Sequence, residues 1–206
     1  MGRKLLIGLV VVVSAICVLT SCSKKSRNAE DIISYLKNLQ SYSCNVKIQI
    51  KNDKQKINYT GRQFYSNDYG DRFELGKDRV IIYKKNRMYV KDLNNGSSYE
   101  TDENFDGLFK LCFIDEYVHL IYTNEKVENS FKKIYNEEYQ IISMDIPGNN
   151  KNICKAQLYV NSSSASPKYL IIYDSDNKKR VKVEYDNFKQ NVKLKDNLFD
   201  ISTAEK

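Results

Sequence analysis

One histidine, His119, is the whole imidazole supply of a 206-residue chain that also has no tryptophan and five cysteines. A single imidazole excludes zinc sites built on two or three histidines and leaves acid–base catalysis one histidine candidate. Asp115 and Glu116 precede His119 by four and three residues, close enough on a helix to orient the ring; the same spacing describes an ordinary surface contact. The pairs Asp102-Glu103, Asp115-Glu116 and Glu137-Glu138 are each adjacent in sequence, whereas glycoside hydrolysis needs carboxylates on opposite sides of one bond. They are expected as solvated turn and helix residues. Gly96-Ser97-Ser98 lacks the second glycine of a nucleophile elbow, and no phosphate-cradling glycine loop or HExxH pair occurs. These residues point to no catalytic group, no metal and no cofactor.

Cysteine is where specific chemistry is written. Arg3 and Lys4 precede an uncharged run, Leu5 to Leu19, and Leu19-Thr20-Ser21-Cys22 follows. As a helix that run reaches roughly 22 Å, short of the ~30 Å hydrocarbon layer, which suits a signal-peptide core. Leucine at −3, small residues at −2 and −1 and cysteine at +1 match the bacterial lipobox. In that motif the cysteine sulfur accepts diacylglycerol before the peptidase cuts in front of it, so Cys22 is the expected lipidation site and Ser21-Cys22 the expected cleavage point. An uncleaved anchor or a plain secretory signal are the alternatives, and both also place the domain outside the cytoplasm. The chain therefore divides into a signal peptide (1–21), an acylated N-terminus and tether (22–28), and a single domain (29–206). Removing 21 of 206 residues leaves 185, and loss of Arg3 and Lys4 lowers the formal charge from +7 to +5. Acyl chains such as palmitate would hold the domain at the outer face of the cell membrane. Lys24, Lys25 and Arg27 either approach anionic head groups or serve as plain linker.

Cys44, Cys112 and Cys154 remain, at spacings that match no metal motif. Cys44 and Cys112 fall in apolar periodicity and are expected as small buried hydrophobes, with a Cys44–Cys112 or Cys44–Cys154 bridge left open.

Positioning elements come from periodicity. With 41% hydrophobic and 29% charged residues the chain can bury a core. Asn28, Glu30 and Asp31 open a helix over about 29–40 carrying Ile32, Leu36 and Leu39. At Cys44 the period becomes two, and short turns separate strands at 44–51, 56–65, 72–75, 80–83, 87–91 and 97–101. Phe105, Leu108, Phe109, Cys112, Phe113, Tyr117, Leu120 and Ile121 mark a second helical stretch with one broad apolar face. Strands resume at 138–146, 155–160, 169–173 and 181–185, with a last segment near Val192 to Leu194. Consecutive strands need no crossover helices, so the class is α+β: a long curved antiparallel sheet of about ten strands covered by two or more helices. Basic clusters at 84–87, 132–133 and 178–180, with sixteen tyrosines, fit nucleic-acid binding in composition only. Export excludes nucleic acid and favours anionic wall polymers, phospholipid or an acidic protein face, or charged turns with no partner.

Helix, strands, helix, strands behind a lipobox looks like the half-barrel fold of the LolA and LolB lipoprotein carriers. The mature chain further resembles the GerS-like germination lipoproteins of spore-forming Gram-positive bacteria. The lipobox cysteine, the opening helix running into Ser41-Tyr42-Ser43-Cys44-Asn45-Val46, the Lys/Asn/Tyr-rich body and the closing Asn197-Leu198-Phe199-Asp200-Ile201 carry that resemblance. It implies a non-enzymatic role in spore germination: binding and activating an N-acetylmuramoyl-L-alanine amidase of the CwlD kind, which begins muramic-δ-lactam formation in cortex peptidoglycan. It also implies a homodimer formed by strand exchange, and identifies no partner-contacting residue. Two other readings stay open: an envelope carrier of lipid or lipoprotein with an apolar cavity, and an envelope hydrolase using His119.

Overall fold

The computed structural model describes residues 28–204, so Ser21, Cys22 and the tether through Arg27 lie outside the described residues. Asn28 caps α1 (Ala29–Lys37) by accepting the Asp31 N–H at 2.8 Å, with Glu30 and Asp31 in the first turn and Lys37 in the last. Both ends thus carry the charge that the helix dipole favours. Ile32 and Leu36 are buried along one stripe.

From Ser41 the chain makes six strands in succession: β1 (Ser41–Lys51), β2 (Lys56–Ser66), β3 (Gly70–Leu75), β4 (Arg79–Lys84), β5 (Arg87–Asp92) and β6 (Ser98–Asp102). Two helices follow, α2 (Gly107–Leu111) and α3 (Ile114–Thr123), and then β7 (Val127–Ile134), β8 (Glu137–Asp145), β9 (Lys155–Asn161), β10 (Pro167–Tyr173) and β11 (Lys179–Gln190). All of the strands join one open 11-stranded sheet in the order β6-β5-β4-β3-β2-β1-β11-β10-β9-β8-β7. Every pairing is antiparallel. Two meanders therefore meet at the centre, where the first strand pairs with the last, and the expected α+β architecture is what forms. Tight hairpins tie it together: Lys85-Asn86 and Tyr135-Asn136 all have positive φ, the two-residue turn whose twist suits antiparallel strands.

Register fixes which face is buried. Val46 lies opposite Tyr185, Ile48 opposite Val183 and Ile50 opposite Val181, while the alternate residues Lys47 and Gln49 point the other way. The helices cover the first face, and Phe113 makes edge contacts with Phe73 and Tyr83 as Phe109 does with Phe73 and Tyr59. On the opposite face the segment after β11, containing the 3-10 turns Asp196–Phe199 and Ile201–Thr203, crosses β3 to β5. There Ala204 and Ile201 pack with Val80 and Ile82, and Phe199 lies against Tyr69.

Four local expectations change. The second helical stretch breaks at Cys112-Phe113, because Phe113 adopts extended backbone (ψ 143) and starts a new helix. Phe105 lies outside both helices and is 71% exposed instead of lining the apolar face. Residues 192–194 form no strand: the chain leaves the sheet at Asn191 (φ 51), with the Val192 carbonyl accepting the Ser41 hydroxyl at 2.6 Å. The unexpected strand is β7, whose side chains from Glu128 to Lys133 are all exposed. Backbone pairing with β8, a Gln140–Asn129 side-chain hydrogen bond at 2.7 Å and a Lys155–Glu128 ion pair hold it, with little apolar burial, so it leaves no alternating burial pattern in the sequence.

Candidate functional site

His119 sits exposed on α3. The structure does not bring it together with its sequence neighbours. Asp115 turns toward the sheet and accepts the Tyr42 hydroxyl at 3.3 Å, while Glu116 pairs with Lys110 at 3.7 Å. Glu103 also pairs with Lys110, at 3.0 Å, and Glu137 accepts the Tyr139 hydroxyl. Asp115 thus departs from the solvated position expected of it. Helix α3 begins on top of the sheet, so Asp115 in its first turn faces Tyr42.

Cys44 and Cys112 are buried, as expected of small apolar residues, and Cys154 is partly exposed; all three are free thiols. Burial pushes the Cys44 and Cys112 thiols well above the usual range. Gln63, also fully buried, joins them: its amide donates to the Cys112 carbonyl at 3.3 Å and its oxygen lies 3.9 Å from the Cys44 sulfur. The Tyr185 hydroxyl donates to the same Cys112 carbonyl at 2.8 Å. The carbonyl exposed by the helix break is thereby satisfied inside the protein.

A second polar cluster is built by register. Tyr42 lies opposite Tyr65, Tyr65 opposite Asp71 and Asp71 opposite Tyr83, one row across β1 to β4 on the helix-covered face. The first turn of α3 lands on this row, where the Ile114 N–H donates to the Tyr42 oxygen at 3.0 Å. Tyr42 is held in place by stacking on Phe188 at 5.0 Å and by Tyr65 at 5.4 Å. Burial raises the Asp115 carboxyl to about 7, and the Glu116 charge adds to the rise. Asp71 is also raised, first by burial and then by Asp115 and Glu116, and its Oδ1 has no hydrogen-bond partner among the described residues. Two carboxyls that favour their neutral forms therefore lie under one helix end. The arrangement holds protons and positions a helix; it presents no nucleophile to a substrate.

Surface chemistry concentrates at the edges of the sheet. Strands β6 and β7 each have one unpaired side. Beside β6, Tyr99 is 52% and Phe105 71% exposed; on and just after β7, Phe131 is 47% and Tyr135 97% exposed. Aromatic anchors and open strand edges are the features by which protein partners are held. The sequence carried one signal for them, the turn type that forces Tyr135 outward. Among the described residues no group of histidine, cysteine and acidic side chains could hold a metal ion, and no helix is long and apolar enough to cross a membrane.

An uncharacterised conserved protein of Thermus thermophilus has a similar fold, with TM-score 0.56 and 9% identity over 83% of this chain and 91% of that one. The GerS lipoprotein of Clostridioides difficile, solved in complex with the CwlD amidase, gives a TM-score of 0.49 at 23% identity over 80% and 98% of the two chains. A LolA superfamily protein of Nitrosomonas europaea gives 0.44 at 13% identity over 85% and 99%. No curated protein matches the chain in sequence. The family model described as sporulation protein YdcC-like matches residues 2–199, and the chain belongs to that family.

Proposed function

We propose that the protein is a non-enzymatic lipoprotein, anchored through Cys22 at the outer face of the membrane around the developing spore. It acts by docking on an N-acetylmuramoyl-L-alanine amidase that modifies cortex peptidoglycan, a step needed for germination. The observation that carries the reading is the division of the domain into a filled face and two open edges. Phe109, Phe113 and Tyr117 occupy the helix-covered side, where a carrier would keep room for an acyl chain. Exposed aromatics stand instead beside the unpaired strands β6 and β7. Membership of a sporulation family supplies the setting. The amidase as partner comes from the resemblance to GerS-like lipoproteins.

Crosslinking in sporulating cells followed by purification of the lipoprotein tests this. An amidase is expected among the products, and Phe131→Ser with Tyr135→Ser, or Tyr99→Ser with Phe105→Ser, is expected to reduce its recovery at least about tenfold, as truncating aromatic anchors does. Recovery of extracted lipid without an amidase overturns the reading.

A further inference from the structure

A cavity of about 490 Å³ opens on the sheet face away from the helices, lined by Arg62, Arg72, Glu74, Lys77 and Arg79 over an apolar floor of Val80 and Leu93. Four cations thus face one carboxylate. Glu74 is already committed: its Oε2 accepts Arg62 Nε at 2.8 Å and Nη2 at 2.6 Å, and its Oε1 accepts Arg72 Nε at 3.0 Å. Arg72 is only 6% exposed, and its Nη1 donates to the Leu198 carbonyl at 2.8 Å. Two guanidinium groups, one of them buried, therefore share a single negative charge. An uncompensated cation beside a buried one is costly unless an anion completes the set.

The outer pair widens the imbalance. Among the described residues, neither Lys77 nor Arg79 lies within 4.0 Å of a carboxylate oxygen, the distance that defines an ion pair, and both are exposed at the mouth. Asp78 lies between them in sequence and Asp92 opposite Arg79 across β4 and β5, both outside the cavity lining; Asp78 accepts the Asn94 side-chain amide at 3.2 Å and Asp92 the Asn94 backbone N–H at 2.8 Å. Arg62 and Glu74 stand in register on β2 and β3, and Arg72 two residues along β3, so the inner cations sit on rigid strands. The carbonyl of Leu198 on the crossing segment fixes the Arg72 fork from the far side. Fixed planar guanidinium groups match the geometry of carboxylate and phosphate oxygens, and a cavity of this volume admits a small ligand or one unit of a polymer.

We propose that this cavity is a binding site for an oxyanion, phosphate or carboxylate, held by Lys77 and Arg79 at the mouth and by the Arg62–Glu74–Arg72 set at the base. This does not rest on the amidase reading. The site lies on β2 to β4 and the β3–β4 turn, apart from the aromatic residues of both edges.

Calorimetric titration of the full chain in neutral detergent micelles with inorganic phosphate, and separately with citrate, tests it at low salt. Saturable one-site binding of at least one of them is expected, weakened at least about tenfold by Lys77→Gln with Arg79→Gln, since charge-assisted bonds carry the affinity. Both residues are exposed and outside the Arg62–Glu74–Arg72 set, so the fold is retained, which circular dichroism checks. Lys51→Gln with Lys179→Gln, on another basic rim, is expected to leave binding unchanged. The ligand is also expected to raise the thermal midpoint of the wild type and to raise it less in the mouth variant. Tighter phosphate assigns a phosphoryl source, and tighter citrate a carboxylate source. Equal affinity in wild type and mouth variant, or no saturation with either anion, overturns the proposal.

Discussion

At the residue scale the informative side chains are those whose surroundings oppose their ordinary chemistry. Asp115 is held as a partly neutral acid at about 7 by burial under α3, with the Glu116 charge reinforcing it. Its folded value lies above the unfolded one, about 3.9, so between these limits the native state binds the extra proton. The contribution is therefore fully present below about pH 4 and lost as pH rises to about 7. Asp115→Asn keeps an acceptor for Tyr42 and removes this titration. Urea unfolding at pH 5 and pH 8 is expected to show wild type losing more stability across that interval than the variant; equal losses would exclude the raised carboxyl. Gly61 illustrates a different constraint. A Cβ there would stand 2.3 Å from the Glu74 carbonyl oxygen and 2.7 Å from the Phe73 ring, so β2 and β3 approach only because the side chain is absent. Gly61→Ala is expected to cost about 1–3 kcal/mol, the usual range for overpacking, measured as a lower urea midpoint.

At the scale of elements, helix α3 is the joint between the two meanders. Its Tyr117 hydroxyl reaches the Ile142 carbonyl at 2.9 Å and the Ala156 carbonyl at 3.2 Å, which ties it to β8 and β9, while Tyr42 and Asp115 tie its first turn to β1. Tyr117→Phe retains the ring packing and removes the link to β8 and β9. A loss of about 1–2 kcal/mol is expected in chemical denaturation, as for a buried hydrogen bond whose partners lose a donor. Strand β7 shows why elements are unequally legible. Val127, Phe131 and Ile134 recur at spacings of four and three, which is a helical spacing, and no period of two marks the strand. Strands such as β1 and β9 alternate cleanly because one face meets the core. Periodicity records burial, and an edge strand that buries neither face has no period to record.

At the scale of the whole molecule, the anchor proposed at Cys22 would set location, and the sheet with two open edges offers surface. Cys22→Ala is expected to move the protein from the membrane pellet to the soluble fraction and abolish palmitate labelling. The thermal midpoint of the domain should stay unchanged, since the substitution lies outside the described fold. Retention in the pellet would show that something other than acylation holds it there. The sequence by itself determined what depends on local chemistry. The helix cap at Asn28 and the alternation from Cys44 onward require only neighbours along the chain, as does the match of Leu19-Thr20-Ser21-Cys22 to a lipobox, on which the proposed acylation rests. Tertiary structure alone decided the inward turn of Asp115 onto Tyr42, 73 residues away, and the exposure of the two sheet edges. It also decided the return of Leu198 across β3 to hold Arg72, 126 residues distant. A protonation state or a surplus of cations depends on which charges and which burial surround a group, and that environment is assembled only when strands distant in sequence become neighbours in space.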